Sequence, residues 1–375
     1  MKNIHPLLDH EKQIQAQQYE REKRFIGLIG SGLSLAMMLI IYFSGFSFWL
    51  ANILPEISII VVFVIYVTAF SVISTMTGLP LSFYSGYIRE HHWKFSNQTV
   101  KSWLWDQVKS FTVGLLIAPT LLGLLFWIMA FSPDYWWLIA GFAVALVSVI
   151  LATLVPVVIL PIFNKYTPLG AGELTDRLQA ILERAGLKPS GFFMEDMSRQ
   201  TKKENAFLAG LGKTRRVVLA DNLMEHMTVS EIESVIAHEV GHYKYRHIWK
   251  QIAIGTFQQL IVFFLLNRVM LMIFPEFLTS TRWNLTLFPI FALLMGAISG
   301  FLFGPLSNAI SRHFERQADR TALEMIPQAA SFLSAMAGLA NRNLSNAYPN
   351  RWIKWLYYSH PPIGERLEMG DEWGR

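Results

Sequence analysis

The sequence predicts an α-helical multi-pass membrane protein of about six spanning helices, joined to a polar region of mixed helices and strands. Of its 375 residues, 53% are hydrophobic and only 16% are charged, well below the roughly 25% charged residues of soluble domains. Six apolar stretches are long enough to cross a bilayer, and two long polar regions accompany them. A membrane bundle that carries a polar domain fits all three observations.

Each apolar stretch supplies the roughly 20 residues that a helix needs to cross a hydrocarbon core of about 30 Å. Five of the six stretches contain no charged residue, and the fifth in order contains Arg268. The stretches cover residues 26–53, 57–79, 111–131, 136–160, 252–274 and 285–303. The first 25 residues are polar and lack the apolar core and cleavage site of a signal peptide, so we expect a leader that stays in the mature protein.

The distribution of positive charge predicts the orientation, because Lys and Arg concentrate on the cytoplasmic side of a membrane. The leader and the segment 80–110 are rich in them, whereas the alternate loops 51–56 and 132–135 carry none and 275–284 carries only Arg282. We therefore expect both termini and both long polar regions on the cytoplasmic side. The expected divisions are a leader 1–25, a four-helix membrane region 26–160 with a loop at 80–110, a polar domain 161–250, two membrane helices 251–307 and a C-terminal part of the polar domain 308–375.

The first polar region shows both helical and strand patterns. Leu174, Leu178 and Ile181 lie on one face of an expected helix that ends at Gly186. Short strand patterns follow at 191–194, 204–208 and 216–220, and the last two flank a Gly210-Leu211-Gly212 turn. Thr228 with Glu231 three residues later has the form of a capping box, which predicts the start of another helix.

Composition also excludes several functions. The chain has no cysteine, which excludes disulfides, thiolate nucleophiles and cysteine ligands, so a metal site must use His, Asp or Glu. The net charge of +5 does not indicate nucleic-acid binding, because the basic residues are spread among the ends of apolar stretches and form no stripe.

The helix expected after Thr228 contains His238-Glu239-Val240-Gly241-His242. Histidines four residues apart lie on one helical face, so both imidazoles can reach one metal ion, and the intervening Glu239 can take a proton from water beside it. This pattern predicts a hydrolytic Zn²⁺ site with one ion per chain, in which Glu239 is the catalytic base.

A hydrolytic zinc site usually has three protein ligands, so a third must come from elsewhere. Glu315 and Asp319 follow the sixth apolar stretch and are again four residues apart. One carboxylate can bind the metal while the other orients a ligand histidine through its free N–H. Spacing alone leaves open that both are solvated partners of the neighbouring arginines.

Several motifs, in the same order along the chain, resemble those of the integral membrane CAAX prenyl endopeptidases and their prokaryotic relatives. The metal motifs are the His238–His242 run and Phe314-Glu315 with Asp319, and the closing motif is Ser359-His360-Pro361-Pro362 with Arg366. Earlier matches are Gly78-Leu79-Pro80, Phe95-Ser96-Asn97-Gln98-Thr99, Phe163-Asn164-Lys165, Asn205-Ala206-Phe207 and Val217-Val218-Leu219-Ala220-Asp221.

The resemblance implies a gluzincin-like α+β zinc metallopeptidase domain at the cytoplasmic side of the bundle. It implies His238, His242 and Glu315 as zinc ligands, with Asp319 behind them, and Asn205 and Ala206 on a strand that pairs with an extended peptide. It also implies that His360 faces the cleft and stabilises the oxyanion, although a His before two prolines also fits a rigid exposed turn.

We expect Arg366 to bind the substrate's C-terminal carboxylate or to orient backbone near it, because a guanidinium forms a planar fork that fits a carboxylate. The alternative is a salt bridge with Glu365, Glu368 or another surface acid.

The implied function is membrane-embedded zinc metalloendopeptidase activity, similar to that of a CAAX prenyl protease, which trims peptides or proteins near their C-terminus. A lipidated or membrane-associated chain is the expected partner, together with the bilayer, and the sequence sets no oligomeric state. The alternatives are a general quality-control protease of the heat-shock type and a non-catalytic scaffold or transporter on the same fold. A site-two-type intramembrane protease fits less well, because the polar Tyr243-Lys244-Tyr245-Arg246 follows the motif at once.

Two features differ from the family pattern. Its members usually have seven membrane helices, so we expect one N-terminal helix fewer here, and residues 198–201 are less basic than the corresponding run in relatives. A prokaryotic plasma membrane is the expected location, with an endoplasmic reticulum membrane as the alternative.

Overall fold

The structure, a computed structural model, describes residues 4–53 and 59–374. Within them the chain forms α1 His10–Phe43, α2 Phe46–Ile53, α3 Ile59–Phe83, α4 Arg89–His92, α5 Val100–Phe131, α6 Trp136–Leu154, α7 Leu160–Phe163, α8 Glu173–Arg184, α9 Asp221–His226, α10 Val229–Lys244, α11 His247–Ile273, α12 Thr281–Thr286, α13 Phe288–Ile298, α14 Gly304–Met325, α15 Ala329–Asn343, α16 Arg351–Tyr357 and α17 Ile363–Trp373. The strands are β1 Tyr166–Pro168, β2 Phe192–Glu195, β3 Ala206–Ala209 and β4 Arg216–Ala220.

Six helices in the described residues are long and apolar enough to cross a membrane, which confirms the predicted number. Three of them run through a π-helical turn into the next α-helix, at Tyr84–Ile88, Val155–Ile159 and Ser299–Phe303. The six candidate spans are His10–Phe43, Val61–His92, Val100–Phe131, Trp136–Phe163, His247–Ile273 and Phe288–Met325.

The first span begins earlier and ends earlier than the predicted 26–53. Asp9 caps α1 by accepting a hydrogen bond from the Lys12 N–H at 3.0 Å, so most of the expected leader is the start of one long helix. The helix ends before Gly45, whose φ of +76° is unfavourable for other residues. Residues 54–58, which hold the end of the expected 51–56 loop and the start of the expected 57–79 span, lie outside the described residues, as do 1–3 and 375.

The polar domain is built on a four-stranded sheet in the order β1-β2-β4-β3. Strand β4 pairs in parallel with β2 and antiparallel with β3, and the β3–β4 hairpin turns at the predicted glycines. This order leaves β3 at the edge of the sheet. Helices α8, α10, α15 and α17 supply the rest of the core, whose fully buried residues include Leu178, Leu219, Ile236 and Phe332.

A polar network joins α1 to the polar domain. The Tyr19 hydroxyl donates to Glu90 at 2.6 Å, and the Lys203 ammonium contacts both Tyr19, at 2.6 Å, and Glu90, at 2.7 Å. Lys203 directly precedes the approach to β3, so this network joins the membrane helices to the edge of the sheet.

Candidate metal centre

Helix α10 carries the two motif histidines into the middle of the molecule. Thr228 caps the helix by accepting from the Glu231 N–H at 3.3 Å, and Glu231 accepts from the Thr228 N–H at 2.7 Å, which confirms the predicted capping box. One face of α10 packs into the core through Ile232 and Ile236. A different face of the helix carries His238, which is buried and contacts Asp319 of α14.

A glycine lets α10 and α14 approach closely. A Cβ at Gly241 would lie 2.6 Å from the Ala318 Cα, closer than side chains tolerate. The absence of a side chain at Gly241 therefore lets the helix with the histidines meet the helix with Glu315 and Asp319 backbone to backbone.

This approach brings His238, His242 and Glu315 together. The two Nε2 atoms lie 3.2 Å apart, His238 Nε2 lies 3.3 Å from Glu315 Oε2, and His242 Nε2 lies 3.5 Å from Glu315 Oε1. One ligand atom from each residue can be chosen so that all lie within 4.8 Å of one another. The three side chains thus converge on one point, as the sequence predicts.

The donor set fits a zinc ion. Ligand atoms about 2.0–2.2 Å from a tetrahedral ion stand roughly 3.3–3.6 Å apart, close to the 3.2 Å between the two Nε2 atoms and to the 3.3 Å and 3.5 Å from these atoms to the two Glu315 oxygens. Among the described residues, Glu315 Oε2 is buried without a hydrogen-bond partner. A buried acceptor left in this way is costly unless a cation or another donor satisfies it.

The protonation tendencies of the two histidines also favour a cation. Burial lowers the pKa of His238, but the carboxylates of Asp319 and Glu315 outweigh it and raise this pKa to about 9. Burial and the neighbouring His238 lower the pKa of His242 to about 4. The carboxylates therefore stabilise positive charge at this point; a bound metal ion would supply that charge in place of the His238 proton, which binding must displace.

Asp319 and Arg366 lie behind His238. The Nδ1–H of His238 donates to Asp319 Oδ1 at 2.8 Å, which leaves Nε2 for a metal. Arg366 donates to the same carboxylate through Nε, at 2.9 Å, and Nη2, at 2.5 Å. The partner of Arg366 is therefore the buried Asp319 and not Glu365, Glu368 or another surface acid. The guanidinium that was expected to bind a substrate carboxylate already binds the Asp319 carboxylate.

His247 supports His242 in a similar way, and sequence reasoning missed it. The two Nδ1 atoms lie 3.0 Å apart, and His247 Nε2 lies 2.9 Å from the Gln317 side-chain oxygen. The buried ring also stacks on Phe314, with ring centroids 4.3 Å apart. The sequence feature that could have revealed this contact is a third histidine five residues after His242. A turn at Arg246, whose φ is +55°, brings it back beside His242.

Glu239 faces the cavity beside the metal ligands. Its Oε2 accepts from the Leu208 N–H of β3 at 3.4 Å. Burial raises the pKa of Glu239, and the nearby His238 charge opposes this. A carboxylate with a raised pKa is better matched to proton transfer near neutral pH.

Strand β3 presents a free edge to the cavity. The Asn205 carbonyl accepts from the Ala220 N–H at 3.0 Å, so the main chain of Asn205 faces β4. Because main-chain groups alternate along a strand, the N–H and C=O of Ala206 and Leu208 point away from β4. Ala206 therefore offers its main chain for pairing, and Asn205 offers only its side chain.

Two hydrogen bonds and an ion pair hold the segment before β3 against α15. The Glu204 N–H donates to Asn343 Oδ1 at 2.9 Å, and the Asn343 amide donates back to the Glu204 carbonyl at 3.1 Å. Arg342 pairs with the buried Glu204 carboxylate at 2.5 Å. These contacts hold the edge strand in register beside α10.

His360 lies at the metal cluster, as the closing motif suggested. Its Nε2 is 3.3 Å from Glu315 Oε1, and its Nδ1 is 2.9 Å from the Ser359 hydroxyl. The side chain is 62% exposed, which a rigid exposed turn would also give, but it lines the cavity and contacts Glu315.

A cavity of about 1010 Å³ reaches this cluster through His238, Glu239, Glu315 and His360, while His242 and Asp319 lie behind its lining residues. This volume is at the upper end of the roughly 300–1,000 Å³ of ligand pockets, which is enough for several peptide residues. One wall is formed by α1, and the other walls include His238, Glu239, Glu315, His360 and Arg366, as well as Asn205 and Ala206. The site is thus open to a surface that continues along a membrane helix.

Family models match nearly the whole chain. Residues 2–165 match the model described as "CAAX prenyl protease N-terminal, five membrane helices", and residues 168–373 match "Peptidase family M48". The first of these segments contains four of the six candidate spans.

Individual relatives agree with these matches. CAAX prenyl protease 1 of Saccharomyces cerevisiae is 32% identical over 80% of this chain and 70% of its own length. The "uncharacterized metalloprotease YhfN" of Bacillus subtilis is 29% identical over 95% of this chain and 85% of its own. Among solved structures, the crystal structure of S. mikatae Ste24p superposes with a TM-score of 0.86 at 26% identity, covering 98% of this chain and 91% of that one.

Proposed function

This chain belongs to peptidase family M48 and is a membrane zinc metalloendopeptidase, and from that premise we propose that it trims membrane-associated peptides near their C-terminus. The observation that carries the proposal is the cavity, which joins the catalytic cluster to a wall of α1. A substrate anchored in the bilayer can reach a site built in this way without leaving the membrane surface.

We propose that His238, His242 and Glu315 hold the ion, with Asp319 and Arg366 fixing His238 and with His247 fixing His242. When bound, zinc polarises the scissile carbonyl and lowers the pKa of water toward about 7. These hydrogen-bond partners fix which ring nitrogen of each histidine faces the ion. Such partners tune both metal affinity and ring orientation.

Glu239 takes the proton from the attacking water and delivers it to the leaving amine. Its raised pKa makes the second transfer easier, because the protonated form forms more readily than in an ordinary glutamate. His360 donates its N–H to the negative charge that develops on the carbonyl oxygen. Its position beside Glu315 is the contact that supports this role.

The peptide lies extended along β3. The outward N–H and C=O of Ala206 form main-chain hydrogen bonds with it, and the Asn205 side chain adds one more. Because Leu208 donates to Glu239, the paired peptide runs directly past the base, which brings one of its carbonyls to the metal cluster.

Arg366 acts through Asp319. Its fork holds both carboxylate oxygens, so the geometry favours a role in positioning His238 over the predicted direct binding of a substrate carboxylate. We also propose a prokaryotic plasma membrane location with both termini and the peptidase domain cytoplasmic, supported by the uneven distribution of Lys and Arg among the loops.

A peptide panel tests the substrate class. The purified enzyme in nanodiscs receives one C-terminal sequence in four forms: prenylated, acylated on another residue, unlipidated and C-terminally amidated. We expect the prenylated form to be cleaved fastest and Glu239→Gln to cleave none. Equal rates on lipidated and unlipidated peptides would instead support the quality-control alternative, while zinc-dependent cleavage of any of them keeps the metallopeptidase assignment.

A further inference from the structure

Helix α16 is a short helix with no buried residue, which is unusual in the peptidase domain. Its sequence is Arg-Trp-Ile-Lys-Trp-Leu-Tyr, and its exposed side chains include Trp352 (59% exposed) and Trp355 (47%), together with Leu356 and Tyr357. Two adjacent exposed tryptophans in a water-facing helix would be costly, so this surface calls for a partner.

The contacts of α16 place it at the level of the membrane boundary. Asn308 donates to the Leu356 carbonyl at 2.7 Å, and Arg312 donates to the carbonyls of Lys354, at 3.1 Å, and Tyr358, at 2.5 Å. Asn308 and Arg312 belong to α14, which continues the sixth span. Asn308 is five residues beyond Phe303, the end of the apolar stretch, or about 7–8 Å along the helix axis.

That distance matches the headgroup layer, which is roughly 5–8 Å thick on each side of the hydrocarbon core. Other exposed tryptophans lie at a similar height on the membrane helices themselves. Trp249 lies just before the apolar part of α11 and Trp105 just before that of α5, and both are at least half exposed. Tryptophan collects at this level because its ring is apolar while its N–H can remain hydrated.

We propose that α16 lies in the membrane interface, where Trp352 and Trp355 insert among lipid headgroups. Arg351 at its N-terminal end is exposed and can contact lipid phosphates. The occupant is the lipid surface and not a second protein, because α16 is bound to α14 just beyond the apolar stretch, in the headgroup layer, where Trp105 and Trp249 also flank their apolar segments.

The anchor bears on the active site through the chain that follows it. Residues from Tyr357 to Pro362 leave α16 and line the catalytic cavity, and His360 among them reaches Glu315. Lipid contact at α16 therefore fixes the height above the membrane at which this segment crosses the cavity. The proposal concerns membrane contact and holds whatever substrate the enzyme cleaves.

Single-cysteine spin labelling tests the proposal, since the chain has no native cysteine to remove. The variants are Trp352→Cys and Trp355→Cys, each carrying a nitroxide, in nanodiscs. The matched control is Trp373→Cys, which replaces a tryptophan that is equally exposed, at 46%. Trp373 lies far from the membrane level. Its neighbours Gly370 and Gly374 pack against α15, and Gly374 approaches Ala329, just beyond the end of α14. That end is about 33 Å from the start of α14.

Accessibility to oxygen, which partitions into lipid, is compared with accessibility to a water-soluble nickel complex. We expect the oxygen-to-nickel ratio to be several-fold higher at 352 and 355 than at 373, and lipids with nickel-chelating headgroups to broaden only the first two spectra. Zinc content equal to that of the wild type verifies that each variant is folded. Labels at 352 and 355 that are as accessible to the nickel complex as the one at 373 would overturn the proposal, and so would dipolar coupling between two chains at these positions.

Discussion

Replacing Gly241 by alanine tests whether close approach of α10 and α14 creates the metal site. The new methyl group would lie 2.6 Å from the Ala318 Cα and 3.0 Å from its carbonyl oxygen. Ordinary contact begins near 3.4 Å, so the helices must separate by about 0.8 Å, since overlapping atoms repel steeply. Both contacts are backbone atoms, which cannot rotate away as the end of a side chain could.

Two effects follow from this separation. Overpacking of a buried contact costs about 1–3 kcal/mol of stability. The distances between the α10 histidines and Glu315 on α14 widen as well, whereas zinc–ligand distances tolerate only about 0.2 Å. We expect zinc affinity to fall at least tenfold, which is about 1.4 kcal/mol.

Zinc affinity is measured by competition with a chelator, and stability by the melting temperature of the metal-free protein in detergent. Gly255→Ala is the control, because its Cβ would meet no atom within 4 Å, and it should leave both quantities unchanged or slightly improved. Wild-type zinc affinity and melting temperature in Gly241→Ala would refute the reasoning.

Four further predictions concern the site and the topology. Glu239→Gln should keep zinc by elemental analysis and lose about 10²–10⁴-fold in rate. In the wild type kcat/KM should fall with decreasing pH as Glu239 becomes protonated, at a higher pH than for an ordinary glutamate, because burial raises the pKa of Glu239. Asp319→Asn should weaken zinc binding about 10–100-fold, whereas Glu324→Gln, on the exposed side of the same helix, should leave it unchanged. C-terminal amidation of the substrate should slow the wild type and Arg366→Lys by the same factor; loss of the amidation effect in the variant would identify direct contact. A maleimide at Ser132→Cys should react only from the side opposite the peptidase domain, and reaction only from the cytoplasm would contradict the predicted orientation.

The cluster of His238, His242 and Glu315 was predictable from the sequence because the proposed ligands follow the helical repeat. Two histidines four residues apart need only one helix, and Glu315 and Asp319 need only another. What spacing could not decide was which carboxylate faces the metal. Their hydrogen bonds differ: Asp319 accepts from His238 and Arg366, while Glu315 Oε2 has no hydrogen-bond partner among the described residues, although His238 Nε2 lies 3.3 Å away.

Other features depended on contacts between distant segments. The strand at Arg216–Ala220 was predicted with its observed bounds because it is a buried run of branched residues. Strand β1 was missed, since three residues that end in proline exist as a strand only through pairing with β2. The partner of Arg366 could not be predicted either, because Asp319 is 47 residues away in the sequence and contacts Arg366 only when α14 and α17 pack together.

The two helices that carry the proposed metal ligands each join a membrane span. Helix α14 continues the sixth span through the wide turn at Ser299–Phe303, and α10 is followed after two residues by α11, the fifth span. A bilayer thicker or thinner than a span changes its tilt at a cost of only fractions of a kcal/mol per Å. A change in the tilt of either span therefore moves the proposed ligands that its continuation carries. Bilayer thickness can in this way alter the distances among His238, His242 and Glu315.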